Sequence, residues 1–396
     1  MKPVLLATLE YPPQVGGIAE YLGALASQFP AGSLEVLAPE TSGAHRFDVE
    51  REAVIYRRQM LAARIRPAWT PAFAAAAKLL KRHRYSALMV SHVLPMGIVA
   101  RALGAAHKIP YVVIAHGMDV ALALAAGGRK FAGASHVLNR AGLVVANSAF
   151  TAGLVRSFGV PADRIHVAYP IPGSGCQNAP VEQAIRTIRE RHRLEGSFAV
   201  VSIGRLVARK GFDVCLDAVV RLRREGIPAK YLIVGDGPER ARLARLAAHA
   251  GIGNAIELVG RVSTEELPAY HAAADVFVTA PRSLGPDIEG FGIVFLEANL
   301  MGKPVIGSRS GGVPEAVLDG ETGILVNPGN PVELAAALRR LHRDPDLRRR
   351  LGEQGRARVQ KEFTAKRQFL PLVEKIMALN PSQKILADAG AENSRL

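Results

Sequence analysis

The sequence predicts an α/β protein built from two doubly wound, Rossmann-like domains in series. Short apolar runs alternate with segments of helical spacing, which is typical of a mostly parallel sheet covered on both faces. A run rich in proline and glycine at 169–175 interrupts the alternation, which then restarts. At 396 residues the chain is also too long for one ordinary hydrophobic core. We therefore expect a hinge within 169–175 and one sheet on either side of it.

The first half opens with a strand, a glycine turn and a helix, as a Rossmann-type unit does. The strand is expected at 4–8, the turn ends at Gly16 and Gly17, and helical spacing continues over 18–29. Glycines at this point allow the backbone to approach a ligand, although a plain tight turn explains them equally well. Further buried strands are expected at 34–38, 54–56, 87–90, 111–115, 143–146 and 165–168, with helices such as 71–82 between them.

The second half repeats the same alternation. Strands are expected at 199–203, 231–234, 256–259, 276–278, 304–306 and 324–326, with helices such as 213–224 and 239–250 between them. Three helical segments follow at 332–342, 347–362 and 364–379, and the polar end at 381–396 is expected to be poorly ordered. Ligands of doubly wound sheets lie at the carboxyl ends of the strands, so the expected active site is a cleft between the two domains.

The formal net charge of +15 is concentrated in one region. Between residues 53 and 162 the only acid is Asp119, and the net charge of this stretch is +13. Such a one-sided field favours an anionic partner such as membrane lipid, a lipid diphosphate or nucleic acid, with a generally basic composition as the alternative.

The sequence gives little sign of secretion or of a membrane span. Two cysteines are too few for a disulfide framework or a Cys zinc site, which fits a reducing compartment. The first residues lack a signal-peptide pattern, and nothing reaches the roughly 18 uninterrupted apolar residues of a membrane span. A soluble cytoplasmic protein is the expectation.

Two carboxylates, Glu289 and Glu297, stand eight positions apart in the stretch 285–302. A Gly-Phe-Gly turn follows the first, and an apolar run leads to the second, so we expect a loop that becomes a helix near Gly292. A helix N-terminus suits a phosphate, and carboxylates accept hydrogen bonds from sugar hydroxyls. The spacing therefore indicates a nucleotide-sugar site, although a capped amphipathic helix with two solvated glutamates fits it equally well.

Other candidate residues follow predicted strands. Arg205 and Lys210 come after the strand at 199–203, where two cations suit a diphosphate; a solvated basic loop is the weaker alternative. His116 ends the strand at 111–115 and is a candidate despite the frequency of structural histidines. Gly235 begins a Gly-Asp-Gly-Pro turn after the strand at 231–234, although a plain strand-to-helix turn explains this run equally well.

Two patterns are set aside. Asp344-Pro345-Asp346 has the carboxylate spacing of a metal-binding sugar-transferase motif, but it lies in a basic linker between two late helices. No His/Glu cluster has zinc spacing, and the Gly-Asp-Gly-Pro turn lacks the third glycine of a dinucleotide fingerprint, which disfavours NAD.

Taken together, the motifs resemble those of glycosyltransferase family 4, the retaining enzymes whose two facing Rossmann-like domains form the GT-B architecture. The matching runs are Pro-Pro-x-x-Gly-Gly near the start, His-Gly-x-Asp at 116–119, Gly-Arg-Leu-x-x-x-Lys-Gly at 204–211, Gly-Asp-Gly-Pro at 235–238 and Glu-x7-Glu at 289–297. The wording around the last motif is similar to that of bacterial phosphatidylinositol mannosyltransferases.

The resemblance implies a role for each matching position. Arg205 and Lys210 would bind the donor diphosphate, Glu289 and His116 would contact the transferred sugar, and Glu297 would bind the ribose. The residues that would border the phosphate, the base or the sugar are Gly16, Gly17, Gly235, Arg261, Val262, Phe291, Gly292, Ile293 and Val294. The resemblance implies that no metal is needed, since cations and a helix end do that work, and that the nucleotide sugar is a substrate and not a cofactor. We name no catalytic base.

The resemblance also implies a division of labour between the domains. Residues 1–172 would form the acceptor domain, 173–363 the donor domain, and 364–396 a helix returning to the first domain plus a flexible tail. The basic first domain would face an anionic membrane, with Trp69 inserting shallowly, at the inner face of the cell membrane.

We therefore expect a metal-independent hexosyltransferase that moves a hexose such as mannose from GDP-mannose to a lipid-linked or polysaccharide-precursor acceptor. The enzyme alternatives are a nucleotide-sugar epimerase and a phosphorylase of similar architecture. A basic nucleic-acid-binding protein is the non-enzyme alternative, but the chain has no aromatic-rich basic motif of the kind that stacks bases.

Overall fold

The computed structural model describes residues 2–51, 53–64 and 66–379. The chain divides into two compact units, one ending at Pro170 and resuming at Ala365, the other spanning Ile171–Thr364. Each contains one parallel sheet with helices on its faces. The two Rossmann-like sheets confirm the predicted fold class.

The sheet of the first unit has seven strands in the order β3-β2-β1-β4-β5-β6-β7. Continuous apolar runs form its central strands because helices cover both faces; all of β1 and β5 is buried. The strands are β1 Val4–Ala7, β2 Leu34–Pro39, β3 Val54–Arg58, β4 Ala87–Ser91, β5 Tyr111–Ala115, β6 Leu143–Ala146 and β7 Ile165–Val167. The helices are α1 Gly17–Ala26, α2 Ala44–Val49, α3 Thr70–Arg82, α4 Met96–His107, α5 Met118–Ala126, α6 Gly128–Leu138 and α7 Ala149–Arg156.

The sheet of the second unit has six strands in the order β10-β9-β8-β11-β12-β13. Its strands are β8 Phe198–Ile203, β9 Ala229–Val234, β10 Ile256–Gly260, β11 Val276–Val278, β12 Val305–Ser308 and β13 Gly323–Val326. Its helices are α8 Glu182–Arg191, α9 Phe212–Arg224, α10 Arg240–His249, α11 Leu267–Ala273, α12 Ile293–Leu300, α13 Val313–Ala316, α14 Pro331–Arg343 and α15 Pro345–Glu362. Tyr231 and Phe212 lie in its core at 0% and 2% exposure.

The described C-terminal helices pack on the first unit. The segment predicted as one helix at 364–379 is instead two short helices, α16 Ala365–Gln368 and α17 Leu370–Ala378. Phe369 lies between them, fully buried, with its ring 5.1 Å from that of Tyr21. The Gln368 side-chain oxygen accepts a hydrogen bond from the Tyr169 amide at 3.0 Å. The predicted tail at 381–396 lies outside the described residues.

The topology identifies where each sheet offers a binding crevice. Strand order reverses between β1 and β4 in the first unit and between β8 and β11 in the second. At such switch points the loops leave neighbouring strands in opposite directions and open a crevice at the carboxyl edge. The candidate residues after β8 and β11 therefore belong to one crevice.

Candidate functional site

The loop after β8 is held against the loop after β11 by direct backbone contact. Residues Ala208–Lys210 form a 3-10 turn, and Gly211 follows in the left-handed region with φ of 69°. A Cβ at Gly211 would lie 2.0 Å from the Ala280 carbonyl oxygen, so no larger residue fits. The Arg282 amide also donates to the Arg209 carbonyl at 2.8 Å. These contacts fix Arg209 and Lys210 opposite the loop that carries Glu289.

Glu289 is the centre of a compact ion cluster at this crevice. Lys210 Nζ lies 2.7 Å from Glu289 Oε2, and Arg209 pairs with the same oxygen. Arg209 Nε also lies 2.9 Å from Asp287 Oδ1. Burial would raise the pKa of Glu289, but the charges of Lys210 and Arg209 and their hydrogen bonds outweigh it, so that pKa lies below its ordinary value. Glu289 is ionised at neutral pH and is no general acid.

Two glycines hold the backbone of the Glu289 loop. The Gly312 amide donates to the Glu289 carbonyl at 3.0 Å. A Cβ at Gly311 would lie 2.1 Å from the Glu289 oxygen, and one at Gly312 would lie 2.1 Å from the Gly290 oxygen. The backbone of Glu289 and Gly290 is therefore held by direct packing against these two glycines.

The predicted start of a helix near Gly292 is confirmed. Gly292 is the N-cap residue of α12, with φ of 98°. Phe291 is 2% exposed and its ring packs 5.8 Å from that of Phe363, so only its backbone is available at the crevice. Ile293 and Val294, the first residues of the helix, are half-buried. The helix start thus offers unpaired backbone N–H groups next to the ion cluster.

Glu297 lies inside α12, and its carboxylate is tied to the start of the second unit. Its Oε1 accepts a hydrogen bond from the Gly173 amide at 3.2 Å, and its Oε2 lies 3.8 Å from His271 Nε2. The Glu289 carboxylate is instead paired with Arg209 and Lys210. The two glutamates therefore have different partners, which favours different roles.

The remaining predicted residues of the second unit lie in more open positions. Arg205 is exposed and forms no ion pair within the described part of the chain. Arg261 is 84% exposed at its side chain and approaches Asp236 only at 3.9 Å, and Val262 is half-buried. Gly235 has φ of 130°, and a Cβ there would lie 2.0 Å from the Gly204 oxygen. Gly235 is thus required to bring the loops after β8 and β9 together.

In the first unit, His116 lies where β5 ends. Its Nε2 is 2.8 Å from Ser91 Oγ at the end of β4. Burial and the neighbouring His92 lower the pKa of His116 to about 4, against the smaller raising effect of Asp119 and Glu10. The Asp119 carboxylate accepts hydrogen bonds from the His116 amide at 2.9 Å and the Val93 amide at 3.0 Å, which bridges the two strand ends. His116 is therefore a neutral imidazole held in place at neutral pH.

His92 is a functional candidate that sequence reasoning missed. Its backbone φ of 77° lies in the left-handed region, which is costly for a residue with a Cβ. Residues held in such strained conformations cluster at functional sites. His92 Nε2 lies 3.6 Å from Glu10 Oε1, and its ring is 5.4 Å from that of His116. Burial would lower the pKa of His92, but Glu10 and Asp119 raise it above its ordinary value. No motif in the sequence marked this backbone conformation.

The predicted glycine turn of the first unit lies beside the same residues. Gly16 is the N-cap residue of α1, and Gly17 begins that helix. A Cβ at Gly16 would lie 3.7 Å from Glu10 Oε2, an ordinary van der Waals distance. The ends of β1, β4 and β5 therefore bring Gly16, Glu10, His92 and His116 to one edge of the sheet.

The second unit also contains a residue that the sequence analysis did not single out. Arg209 pairs with Glu289 alongside Lys210, although only Arg205 and Lys210 were predicted as cations. Its position inside the Gly-Arg-Leu-x-x-x-Lys-Gly run is the signal that would have found it.

The Asp344-Pro345-Asp346 run, which was set aside as a metal-binding motif, has a structural role. Asp344 is the N-cap residue of α15 and accepts a hydrogen bond from the Leu347 amide at 2.8 Å. Asp346 pairs with Arg349 at 2.9 Å on the same helix.

None of the helices within the described ranges has the length and apolar character needed to cross a bilayer.

Comparison with known proteins identifies the family. The profile of Glycosyltransferase Family 4 matches residues 15–171, and the profile of Glycosyl transferases group 1 matches residues 184–358. A GDP-mannose-dependent alpha-(1-6)-phosphatidylinositol monomannoside mannosyltransferase of Mycobacterium tuberculosis is 33% identical, covering 90% of this chain and 93% of the relative. The enzyme of the same name from Mycolicibacterium smegmatis is also 33% identical, covering 89% and 92%.

Solved structures agree on the fold. The crystal structure of Anabaena HepE in complex with UDP superposes with a TM-score of 0.80 at 20% identity, covering 96% of this chain and all of that one. Both halves of the chain thus match one enzyme family in sequence, and the two parallel sheets match its architecture. The chain therefore belongs to glycosyltransferase family 4, the retaining GT-B enzymes that transfer a sugar from a nucleotide-sugar donor.

Proposed function

We propose that this enzyme transfers mannose from GDP-mannose to a glycolipid acceptor of the phosphatidylinositol mannoside type. The relatives of that activity align with about nine tenths of the chain at 33% identity, which supports the donor and the acceptor class. The observation that carries the donor half of the proposal is the cation cluster around Glu289 at the start of α12.

The loop after β8 suits a diphosphate because one of its cations, within the described part of the chain, has no counter-ion. Arg209 and Lys210 are balanced by Asp287 and Glu289, whereas exposed Arg205 forms no ion pair with any of the described residues. The exposed guanidinium of Arg205 binds the diphosphate directly in this proposal, while Lys210 is shared between the phosphate and Glu289. The N–H groups at the start of α12 add a further anion site. These groups stabilise the charge that develops on the leaving diphosphate.

Glu289 and Glu297 take separate parts of the donor in this proposal. Glu289 is ionised and nine tenths buried, so it accepts hydrogen bonds from hydroxyls of the transferred sugar while its cations orient it. Glu297 accepts hydrogen bonds from the ribose, the backbone of 291–294 meets sugar and phosphate, and Arg261 and Val262 lie near the base. Gly235 maintains the close approach of the loops beside them.

The first unit supplies His116 and the turn at Gly16 and Gly17. A neutral imidazole can exchange hydrogen bonds with a sugar hydroxyl, and the lowered pKa of His116 keeps it neutral. Retention without an enzymic nucleophile fits a same-face attack in which the leaving phosphate accepts the acceptor proton. No side chain of the chain is assigned as general base.

The acceptor half of the proposal rests on the charge of the first unit. Lys78, Lys81, Arg82 and Arg84 are exposed on and just after α3. An anionic lipid surface would attract such a row by about 1 kcal/mol per charge. Arg57 does not belong to this row, because it is paired with Asp48 at 2.7 Å and donates to the Pro12 carbonyl. Trp69 packs partly against the core and next to Phe73, which leaves only part of its ring for interfacial contact.

Donor specificity is tested with purified full-length protein in EDTA. GDP-mannose and UDP-glucose are compared as donors with phosphatidylinositol mannoside as acceptor, and product is detected by mass spectrometry. We expect transfer of mannose, at least 100-fold slower for Glu289→Gln and unchanged for the exposed control Glu353→Gln. Transfer from UDP-glucose alone would overturn the donor assignment, and an equal rate for Glu289→Gln would overturn the site.

Membrane association is tested by flotation with liposomes that contain anionic lipid. The variant Lys78→Gln, Lys81→Gln, Arg82→Gln, Arg84→Gln should float less than the wild type. A matched control with the same charge change, Arg245→Gln, Arg343→Gln, Arg350→Gln, Lys361→Gln, should float as the wild type does. Equal loss in the two variants would contradict a specific lipid-facing row.

A further inference from the structure

Three side chains of different chemistry converge in the second unit, and one of them is Glu297. Cys176, His271 and Glu297 come from the 3-10 turn Ser174–Cys176, from α11 and from α12. The sulfur, a ring nitrogen and a carboxylate oxygen all lie within 4.8 Å of one another. These three residues are called the Cys-His-Glu cluster below. Such a combination of ligand atoms is that of a transition-metal site.

His271 makes this cluster unusual because it is buried without a hydrogen-bond partner. The residue is 0% exposed, and neither ring nitrogen has a hydrogen-bond partner among the described residues. One face of its ring packs against Phe277, with the ring centroids 5.2 Å apart. An unsatisfied polar atom in the interior destabilises a fold, so the two unpartnered ring nitrogens of a fully buried histidine need an explanation. A bound cation at the cluster supplies one.

Backbone contacts hold the other two members of the cluster in place. A Cβ at Gly175 would lie 2.6 Å from the Thr264 carbonyl oxygen, so the turn that carries Cys176 is packed tightly against residue 264. Glu297 Oε1 is engaged by the Gly173 amide, while its Oε2 faces His271 Nε2 at 3.8 Å. The free energy needed to order the ligands is therefore small, because the fold already brings them together.

We propose that the Cys-His-Glu cluster binds a divalent transition-metal ion, with Zn²⁺ as the best fit. Zinc bonds of about 2.0–2.3 Å place tetrahedral ligand atoms about 3.3–3.8 Å apart, so only a small contraction of the cluster is required. The Cys176 thiol releases its proton to solvent as the Zn–S bond forms, and neutral His271 binds through a ring lone pair. Mg²⁺ and Ca²⁺ prefer oxygen ligands and do not fit a thiolate–imidazole pair.

The metal ion is an inhibitor in this proposal. A Glu297 carboxylate bound to Zn²⁺ no longer accepts hydrogen bonds from a ribose, so metal and nucleotide sugar exclude each other. This consequence rests on the proposed function, because it assumes that Glu297 is the ribose ligand. The binding of the metal ion does not depend on that assumption.

Metal binding is tested on untagged full-length protein with the metal alone. Zn²⁺ affinity is measured by isothermal titration calorimetry, and Co²⁺ is added in its place to detect the thiolate-to-cobalt charge-transfer absorption. We expect one ion per chain and a thiolate band. Cys176→Ser should abolish the band and weaken Zn²⁺ binding at least 100-fold, and His271→Gln should weaken it similarly. The control Cys215→Ser removes the only other cysteine and should bind as the wild type does.

Two results would overturn the metal site. One is Co²⁺ binding without a thiolate band, and the other is equal Zn²⁺ affinity in the wild type and Cys176→Ser. Circular dichroism of each variant checks that the comparison is between folded proteins.

Competition is tested separately. Zn²⁺ should raise the apparent KM for the nucleotide sugar without changing kcat, and His271→Gln should abolish the effect. Zn²⁺ that binds at the cluster yet leaves the KM unchanged would overturn the shared role of Glu297 while leaving the metal site in place.

Discussion

Replacement of Glu289 by glutamine separates its role as counter-ion from its role toward the donor. In the wild type one carboxylate compensates Arg209 and Lys210, and the side chains of Glu289, Lys210 and Arg209 are 10%, 12% and 21% exposed. Glutamine retains one acceptor oxygen but removes the charge, so both cations lose their shared partner. A hydrogen bond to a charged group contributes about 1.5–3 kcal/mol, and partial exposure reduces the effect. We expect the free energy of unfolding to fall by about 2–3 kcal/mol.

The measurement is thermal unfolding of wild type and Glu289→Gln as a function of pH. For a unit of this size a loss of 2–3 kcal/mol corresponds to a Tm lower by about 4–12 °C. The pKa of Glu289 is lowered in the folded state, so its contribution is present above the ordinary glutamate pKa and is lost as pH falls through the lower folded value. The Tm difference should therefore be full at pH 7 and shrink below about pH 4.5.

Ligand binding completes this prediction. Removal of a negative charge beside the diphosphate site should leave GDP affinity unchanged or increased, while turnover falls at least 100-fold. A Glu289→Gln variant with wild-type Tm at pH 7 would refute the counter-ion argument. Weaker GDP binding in proportion to lost turnover would show that the charge supports the phosphate site, contrary to the reasoning given above.

Three further predictions concern other residues. Arg205→Ala and Lys210→Ala should each lower kcat/KM about 100- to 1000-fold, whereas exposed Arg245→Ala should not, as steady-state kinetics would reveal. His92→Gly should remove the left-handed strain, so its free energy of unfolding should lie within about 1 kcal/mol of that of the wild type while its turnover is lost; His92→Ala should lose both stability and turnover. Full turnover in His92→Gly would exclude a functional reason for the strain. As pH falls, NMR should detect protonation of His92 above pH 6.5 and of His116 only near pH 4, with assignments from His92→Gln and His116→Gln; the reverse order would contradict the roles of Glu10 and Asp119 around this pair.

The sheets could be predicted from sequence because parallel strands buried on both faces form continuous apolar runs. β5, β6 and β11 begin and end at the expected residues, β12 differs by one residue at its start and two at its end, and the other strands differ by one or two residues at one end. The prediction of one helix at 364–379 was wrong in detail, because the segment is divided at buried Phe369. Pro371, in the first turn of α17, marks the break in the sequence, since proline lacks an amide N–H and is tolerated at a helix start rather than in a helix interior.

The site was less accessible to sequence reasoning, because side-chain pairing is a tertiary property. The loops that carry Lys210 and Glu289 were expected in one crevice, but the pairing of Arg209 with Glu289 depends on the contact of Gly211 with Ala280. Arg57 was counted among the charges of the basic region, whereas it is paired with Asp48, which lies outside that region. The Cys-His-Glu cluster has no recognisable metal-ligand spacing in the sequence, since nearly a hundred residues separate Cys176 from His271.

The glycine pair at 311 and 312 has a consequence for engineering this enzyme. These glycines support the backbone of Glu289 and Gly290 directly. Saturation libraries at Leu284 and Pro286, which are not buried, should therefore vary the chemistry presented to a donor while this backbone contact holds the loop, whereas Ile288 is only 7% exposed and belongs to the packed interior. The same libraries at Gly311 and Gly312 should yield almost only glycine among folded, active variants. Changes in donor preference should therefore arise from substitutions in the loop that carries Glu289 and not from substitutions at the glycine pair.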